Sequence, residues 1–301
     1  MPEEATYHSF YRGMLLRSAG ACRVDLLGER FLKSKARKRP LVRVVNMHGT
    51  ASVDAAAFEA QLLWVHKHYR IIDFQKFAEM FESKNQAATS KPAVLFTFDD
   101  GLESNYLVAA PILESLGTRG VFFVIPQFAM SRGQEAKAFF QTNLKRRAAP
   151  DEPEETWKPM SPEQIAELAS RGHTIGNHTF SHPWLSTTPA EQLHWQIVES
   201  ASLLQAWIGS APQAFAWTFS WEAISREAWQ LAKSQHRYCF SPCHGLVDPS
   251  KDEPDLIWRC NLKSHSPEYA YSLVYAGLGD LWWKARRRRL ACMLRRGNQS
   301  L

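Results

Sequence analysis

The sequence is short of cysteine. It contains five cysteines among 301 residues, and no two of them are spaced as Cys-x-x-Cys. A disulfide framework or a thiolate zinc site needs paired or clustered cysteines, so neither is indicated. We expect reduced thiols, mostly packed in the core, at Cys22, Cys239, Cys243, Cys260 and Cys292.

Long apolar runs are also lacking. The chain has no stretch of about eighteen apolar residues, the length that a membrane-spanning helix needs. Residues 1–23 include Glu3, Glu4, Arg12 and Arg17, and no continuous apolar segment there precedes a small-residue cleavage site. A secretory signal is therefore not indicated. These absences predict a cytoplasmic catalytic domain.

Positive charge is clustered in two blocks. The net charge is +6, and basic residues concentrate at residues 30–43 and 284–296. The second block contains seven cations and follows a segment rich in aromatic and aliphatic side chains, a composition typical of an interfacial segment. We expect it to bind an anionic membrane surface, on the inner face of the membrane. Nucleic acid is disfavoured because no recognised binding motif accompanies the charge.

The apolar side chains of this C-terminal segment carry that expectation. They are Tyr271, Leu273, Tyr275, Leu278, Leu281, Trp282, Trp283, Leu290 and Leu294. The alternative is that residues 278–283 close the bottom of the fold and leave only the arginines exposed. Both alternatives stay open from the sequence.

Between the basic blocks, short apolar runs alternate with amphipathic segments. Strands are predicted at residues 41–47, 93–98, 121–125, 215–219, 237–240 and 257–262, and a helix is predicted at residues 54–69. Ser161 and Thr188 each precede a proline and have Gln or Glu three residues later, which predicts two helix N-termini. Residues 126–159 form a long, charged stretch without clear periodicity, so we expect an excursion over the rim of the fold there.

Repeated β-α units predict a parallel sheet, either open or closed into a barrel. Polar residues follow the predicted strands at Asp99, Asp100, His178 and His48. A barrel gathers all the carboxyl ends of its strands at one rim, whereas an open sheet brings together only those near a switch point. We therefore expect an α/β fold with a distorted or incomplete (β/α) barrel.

Two motifs carry the chemistry. Residues 95–101 read Leu-Phe-Thr-Phe-Asp-Asp-Gly, and residues 172–183 supply His178 and His182 four positions apart. One carboxylate and two neutral imidazoles are a common set of ligands for a divalent metal, while the second carboxylate can take a proton from the attacking water. Because His182 precedes a proline, we expect a tight loop rather than a helix there. The pair of motifs predicts a metal-dependent hydrolase. A serine hydrolase is disfavoured because no Gly-x-Ser-x-Gly motif is present.

These two motifs resemble the first two signatures of the polysaccharide deacetylase family, carbohydrate esterase family four, whose fold is a distorted (β/α) barrel. The resemblance implies that Asp100, His178 and His182 hold a divalent metal, usually zinc, and that Asp99 is the general base. It also implies that the backbone N–H of Phe219 completes the oxyanion hole. The implied reaction removes an N- or O-acetyl group from a sugar, typically N-acetylglucosamine.

The chain departs from the family pattern at two places. Ala216 stands where many members have an arginine that pairs with the base, which puts the tuning of Asp99 in doubt. The final Leu-x-His motif, which provides the general acid, has no clean match: Leu262 is followed by His265 with one residue too many. His265 is the first candidate for the acid, and His244 and His48 are alternatives.

The resemblance spans the middle of the chain. We predict a basic N-terminal extension at residues 1–40, a catalytic barrel at residues 41–264 and a basic aromatic segment at residues 265–301. The expected substrate is an acetylated sugar in a glycolipid or polysaccharide precursor of the cell surface. The alternative function is a catalytically degenerate barrel that binds membranes or glycans.

Overall fold

The fold is a curled parallel sheet surrounded by helices. The computed structural model describes residues 24–83, 89, 91–144 and 153–295. Within these residues, no helix is both long and apolar enough to cross a membrane.

Eight strands form one sheet within the described residues, and every pairing between them is parallel. They are β1 (Val42–Met47), β2 (Arg70–Ile71), β3 (Ala93–Phe98), β4 (Val121–Val124), β5 (Thr174–Asn177), β6 (Ala214–Ala216), β7 (Tyr238–Phe240) and β8 (Cys260–Asn261). The order across the sheet is β7-β6-β5-β4-β3-β1-β8, and β2 pairs with β3 beside this path. The strands predicted at residues 41–47, 93–98, 121–125 and 237–240 match β1, β3, β4 and β7 to within one residue, whereas only two residues of the strand predicted at residues 257–262 form β8.

The sheet curls into a distorted barrel, as the sequence predicts. Cys260 pairs with Val45 of β1, while Ile257, three residues earlier, bridges to Phe240 of β7. One short segment therefore touches both edges of the sheet. Because this strand is only two residues long, the barrel is irregular at this seam.

Twelve α-helices surround the sheet in the described part of the chain. They are α1 (Val24–Ala36), α2 (Ala55–His68), α3 (Phe74–Glu82), α4 (Ala110–Ser115), α5 (Pro126–Met130), α6 (Gly133–Thr142), α7 (Pro162–Ser170), α8 (Ala190–His194), α9 (Ser200–Ile208), α10 (Arg226–Gln235), α11 (Glu268–Ala276) and α12 (Asp280–Arg295). A π-helical turn at Asn105–Ala109 leads into α4, and a second at Trp195–Glu199 joins α8 to α9.

Alternation along the strands separates the inside of the barrel from the outside. Leu95 and Phe123 belong to one apolar cluster, the inner one. Their neighbours Phe96 and Phe122 belong to another, the outer one, in which Phe96 packs against Phe58 of α2 and Phe122 stacks on Phe98. The same alternation points Asp99 inward just after β3 ends. The strand register therefore delivers the first motif to the mouth of the barrel.

One feature of local structure was not predicted, and one prediction is wrong. Two helices, α5 and α6, form within the described part of the excursion predicted at residues 126–159, and they bury Phe128 and Phe139 in a small cluster of their own. The predicted cap at Thr188 does not form: its hydroxyl donates to the carbonyl of Trp184, and the helix begins later, after Pro189. The matching prediction at Ser161 is confirmed, with a complete capping box.

The thiols follow the expectation for reduced cysteines. Cys239, Cys243 and Cys260 are free and buried, and Cys292 is free and exposed. Cys22 lies outside the described residues. Burial raises the pKa of the Cys243 thiol to about 12, which keeps it protonated at neutral pH.

More side chains of the C-terminal segment pack against the barrel than its composition indicates. Five of its aromatic and aliphatic side chains are buried in the protein, so they cannot contact a membrane: Tyr271, Leu273, Tyr275, Leu290 and Leu294. Leu281 and Trp282 remain exposed. The division into residues 1–40, 41–264 and 265–301 stays a prediction, although α1 and α11 pack together closely at Gly28 and Ala276.

Candidate active site

The two predicted motifs meet at the carboxyl ends of β3 and β5. Asp99 and Asp100 directly follow β3, and His178 directly follows β5, with its N–H donating to the carbonyl of Val124 on β4. His182 lies in a loop, as expected from the proline after it. Asp100 and His182 have φ values of 74° and 59°, a conformation that costs energy for a residue with a side chain. This strain lies at the site itself.

A π-helical turn supports the histidine loop from outside. A π turn leaves backbone carbonyls without helical partners. Here the side-chain amide of Asn177 donates to the carbonyl of Ile197 at 2.9 Å, and the N–H of Phe180 donates to that of Gln196 at 3.0 Å. Inside the loop, the N–H of His182 donates to the Thr179 hydroxyl at 3.0 Å. The loop geometry is therefore fixed from both sides.

Asp100, His178 and His182 converge with their ligand atoms within 4.8 Å of one another. Oδ1 of Asp100 lies 3.6 Å from Nε2 of His178 and 3.8 Å from Nε2 of His182. The Nδ1 atoms point away: that of His178 bonds to the carbonyl of Ala216 at 2.8 Å, and that of His182 to the carbonyl of Asn143 at 3.3 Å. Because a carbonyl can only accept, both Nδ1 atoms donate a proton, so in the neutral form of each ring the lone pair is on Nε2, which faces Asp100.

This donor set fits a divalent metal. Two neutral imidazole nitrogens and one carboxylate oxygen are ligands that zinc accepts, with room for further positions. Burial lowers the pKa of His182 to about 3, so its imidazole is neutral at physiological pH. A second group that could hold a metal, His244, Cys260 and Asp280, has a poorer fit because the Arg43 guanidinium bonds to two of its members.

Asp99 is held by an arginine that the sequence analysis missed. Arg259 donates two hydrogen bonds to its carboxylate, from Nη1 to Oδ1 at 2.7 Å and from Nη2 to Oδ2 at 3.0 Å, and both side chains are buried. Burial alone would raise the pKa of Asp99, but the charge of Arg259, followed by that of His178, outweighs it and lowers the pKa. Asp99 is therefore ionised and oriented.

Arg259 supplies the cation beside Asp99 that Ala216 cannot provide. The cation that many family members place at that position comes here from the segment before β8, on the opposite edge of the sheet. Arg259 also donates to Asn46 at 3.2 Å and stacks over the ring of Phe123. The sequence offered one signal: a lone arginine inside the apolar segment predicted as a strand at residues 257–262.

Phe219 lines the same pocket as Asp100, His178 and His182. Its φ is 55°, and its ring packs against His182 at 4.4 Å and against Trp184 at 5.3 Å between centroids. The chain leaves β6 after Ala216, so the predicted strand at residues 215–219 ends early to form this turn. The predicted role of the Phe219 backbone N–H as oxyanion donor stays a prediction.

The three candidate histidines for the acid are in different places. His48 lines the pocket that contains Asp99, Asp100 and His178, a cavity of about 140 Å³. His265 does not line it: its Nδ1 bonds to Asp54 at 2.9 Å in an adjoining cavity of about 370 Å³, which also includes His48. His244 accepts from the Asn261 N–H and stacks on Trp283. The geometry thus favours His48 over His265.

The pocket of about 140 Å³ is small, but its lining includes Asp99, Asp100, Arg259 and both histidines of the second motif. A larger cavity of about 640 Å³ lies between α3, α7 and the end of α9. Its lining includes His173 and Glu79 but neither Asp99 nor any of the three clustered ligands. Chemistry rather than volume therefore identifies the candidate site.

Comparisons with known sequences identify related proteins. A family profile described as polysaccharide deacetylase matches residues 86–238, just over half of the chain. The peptidoglycan-N-acetylglucosamine deacetylase of Bacillus cereus is 27% identical over 127 residues, which are 41% of this chain and 35% of that protein. The peptidoglycan-N-acetylmuramic acid deacetylase PdaA of Bacillus subtilis is 25% identical over 116 residues, 38% of this chain and 33% of that protein. The chain thus matches about a third of the length of these two relatives.

Solved structures share the fold. IcaB from Ammonifex degensii has a TM-score of 0.62 at 17% identity, with 79% of this chain and 97% of that chain covered. The deacetylase PplD of Streptococcus pyogenes, solved in complex with acetate, has a TM-score of 0.59 at 16% identity and covers 79% and 98%. Together with the profile that spans both motifs, this shared barrel leads to one conclusion: the chain belongs to the polysaccharide deacetylase family.

Proposed function

We propose that the protein is a metal-dependent deacetylase that hydrolyses an N-acetyl, or an O-acetyl, group of a sugar. The observation that carries the proposal is the juxtaposition of Asp100, His178 and His182 with the buried Asp99–Arg259 pair. Degenerate relatives of an enzyme need not keep such a set. Its retention argues against a barrel that only binds membranes or glycans.

The proposed ion is divalent, with zinc favoured by the two imidazoles. Asp100, His178 and His182 would hold it. When bound, it would supply Lewis-acid polarisation of the acyl carbonyl and of water. All three side chains are buried, so the ligands are held before the ion binds.

Asp99 acts as the general base in this proposal. Its carboxylate lies beside the ligand cluster, 3.9 Å from Nε2 of His178, and accepts a proton from the attacking water. Arg259 fixes the plane of the carboxylate through its two hydrogen bonds. Phe219 donates its backbone N–H to the oxyanion that develops as the carbonyl carbon becomes tetrahedral.

His48 is the proposed proton donor to the leaving nitrogen. It follows β1 and lines the same cavity as Asp99, on the side opposite the ligand histidines' loop. His265 was the first candidate from the sequence, but it is exposed and paired with Asp54 outside this cavity. A proton donor must lie within hydrogen-bond reach of the leaving group, directly or through one water.

The proposed substrate is N-acetylglucosamine in a glycolipid or polysaccharide precursor. The similarity to the peptidoglycan-N-acetylglucosamine deacetylase of Bacillus cereus supports this sugar. We further propose that the enzyme works at the cytoplasmic face of the membrane. This placement rests on the expected cytoplasmic domain and on the basic C-terminal helix.

Acetate release tests the proposal directly. The zinc-loaded protein is incubated with a chito-oligosaccharide and with UDP-N-acetylglucosamine, and free acetate is measured beside an Asp99→Asn control. Release that depends on Asp99 supports deacetylation. Mass spectrometry of glycolipids from cells with and without the protein then seeks a mass difference of one acetyl group. A loaded, folded protein that releases acetate from none of these substrates, in cells or in solution, contradicts the proposal.

A further inference from the structure

The last helix has a face that the barrel does not cover. On α12, Leu290 and Leu294 are buried and Trp283 is half-buried against the barrel. The opposite side presents an exposed stripe at helical spacing: Leu281, Ala285, Arg288 and Cys292. We call this stripe, with the flanking exposed residues Trp282, Lys284, Arg289 and Met293, the α12 outer face.

Large apolar side chains stand out on this face. Leu281 is 77% exposed, Trp282 is 58% exposed and Met293 is 40% exposed. Exposed apolar side chains scattered singly are ordinary. Here, however, Leu281 and Trp282 are adjacent, and tryptophan is a side chain that favours the interface between water and lipid. Both side chains can therefore insert into such an interface at the start of the helix.

Apart from Asp280, every charged residue of α12 is basic. Its acidic residue, Asp280, is bonded to the buried Arg43, so it does not offset the outer face. Among the described residues, no carboxylate pairs with Lys284 or Arg288, whereas Arg295 lies 3.6 Å from Asp255. A partner for this face must therefore supply negative charge beside an apolar layer.

The face reaches the edge of the active-site rim. The guanidinium of Arg289 lies 5.5 Å from the ring of Trp221, two residues after Phe219, which lines the pocket. A surface that contacts α12 would thus lie beside the mouth of the barrel. This placement suits a protein that works on molecules held at that surface.

We infer that the α12 outer face binds an anionic phospholipid surface. Apolar side chains at one end of an amphipathic helix, with cations along the same face, match a bilayer with acidic headgroups. A nucleic acid would satisfy the cations but would leave Leu281 and Met293 in water. The inference does not depend on the proposed deacetylase activity, because no described residue of α12 lines the candidate active-site pocket.

The expected loss of affinity for the vesicles follows from the number of cations or apolar side chains that a variant removes. Each cation at an anionic leaflet contributes about 5-fold to binding. Replacing both Lys284 and Arg288 with Gln should therefore weaken binding about 10- to 30-fold. The Leu281→Gln/Trp282→Gln variant should weaken it by a similar amount without changing the charge.

Co-sedimentation of the full chain with vesicles tests this. We expect binding to vesicles of phosphatidylcholine and phosphatidylglycerol in equal parts, little binding to pure phosphatidylcholine, and loss of binding at high salt. Leu107→Gln is the matched control for the apolar pair, because Leu107 is also exposed but lies in the turn before α4. The Lys76→Gln/Lys137→Gln variant is the charge-matched control.

Three outcomes would overturn the inference. The first is recovery of the folded protein in the supernatant with both kinds of vesicle. The second is equal loss of binding in the control and α12 variants, which would mean that total charge rather than this face decides. The third is binding to duplex DNA or RNA but not to the anionic vesicles. Circular dichroism of each variant separates misfolding from loss of binding.

Discussion

At the scale of single residues, the proposed metal ligand Asp100 and the proposed base Asp99 are adjacent in sequence but have different surroundings. Asp100 faces the two imidazole Nε2 atoms, while Asp99 faces the guanidinium of Arg259. Adjacent carboxylates in a strand end point to opposite sides, and the φ of 74° at Asp100 turns its side chain back into the same pocket. One dipeptide can therefore supply both a ligand and a base.

The first prediction separates these two roles. His182→Ala should weaken metal binding by more than about 100-fold, since it removes a ligand, and should abolish activity with it. Asp99→Asn should retain the metal but lower turnover by roughly 10²- to 10⁴-fold. Elemental analysis and acetate release, measured on the same samples, check both. Loss of metal from the Asp99 variant would reverse the assignment of the two aspartates.

The second prediction concerns Arg259. In metal-free protein, Arg259→Met should lower the free energy of unfolding by about 3–5 kcal/mol, because it leaves Asp99 buried without a partner. The double variant with Asp99→Asn should be less destabilised than Arg259→Met alone, because the unpaired charge is gone. Urea unfolding at neutral pH measures this cycle. Additive losses would mean that the pair is not coupled.

The residue scale also marks the limit of the sequence. Asp99, Asp100, His178 and His182 are predictable because the members of each pair are close in sequence and the two aspartates follow the strand predicted at residues 93–98. Arg259 comes 160 positions after Asp99, and only the closing of the barrel brings them together. Arg259 does stand alone in an apolar segment, which indicates a buried cation but not its partner.

At the scale of elements, β5 carries the histidine loop and has little space around it. A Cβ at Gly176 would lie 2.4 Å from ring atoms of Phe123, whose own ring packs 5.3 Å from Phe240. Gly176 therefore allows β5 to pack beside the inner aromatic cluster. Its neighbour Asn177 then fixes the loop through the π-helical turn.

The third prediction follows from this contact. Gly176→Ala should destabilise the protein by about 1–3 kcal/mol through overpacking and should disturb the position of His178 two residues later. Adding Phe123→Leu should restore part of the stability, since it gives the ring's space to the new methyl group. Thermal unfolding and metal affinity check the pair. Equal stability of the Gly176→Ala protein and the wild type would contradict the packing argument.

Element boundaries show what local patterns can decide. The capping box at Ser161 was predictable because all its partners are within three residues. At Thr188 the same pattern failed, since the hydroxyl bonds backwards to Trp184 instead of capping the helix. The helices within residues 126–159 were missed because they are short and are held by contacts with each other.

At the scale of the whole molecule, the C-terminal helices pack against the barrel. Leu290 and Leu294 of α12 join the inner apolar cluster, whereas Tyr271 and Tyr275 of α11 join the outer one. Composition alone predicted an interfacial segment, and it could not distinguish side chains that face lipid from those that face the barrel. The register of α12 makes that distinction and leaves the outer face exposed.

The fourth prediction concerns how α12 is fixed to the barrel. Arg43 of β1 is fully buried and donates to both carboxylate oxygens of Asp280, at 2.8 and 3.0 Å, at the first residue of α12. Asp280→Asn should lower the free energy of unfolding by about 3–5 kcal/mol, because it removes the countercharge of a buried guanidinium. Urea unfolding measures the loss, and limited proteolysis reports whether α12 is released first.

An exposed ion pair of the same type gives the control. Glu79 bonds to Lys76 on the surface of α3 at 3.0 Å, and Glu79→Gln should change stability little, as is usual for solvated pairs. The contrast tests whether burial, rather than the ion pair itself, makes Asp280 important. If both substitutions had equally small effects, α12 would be held by Leu290 and Leu294 alone. Proteolysis should then cleave α12 no faster in the Asp280 variant than in the wild type, whereas we expect early cleavage within this helix.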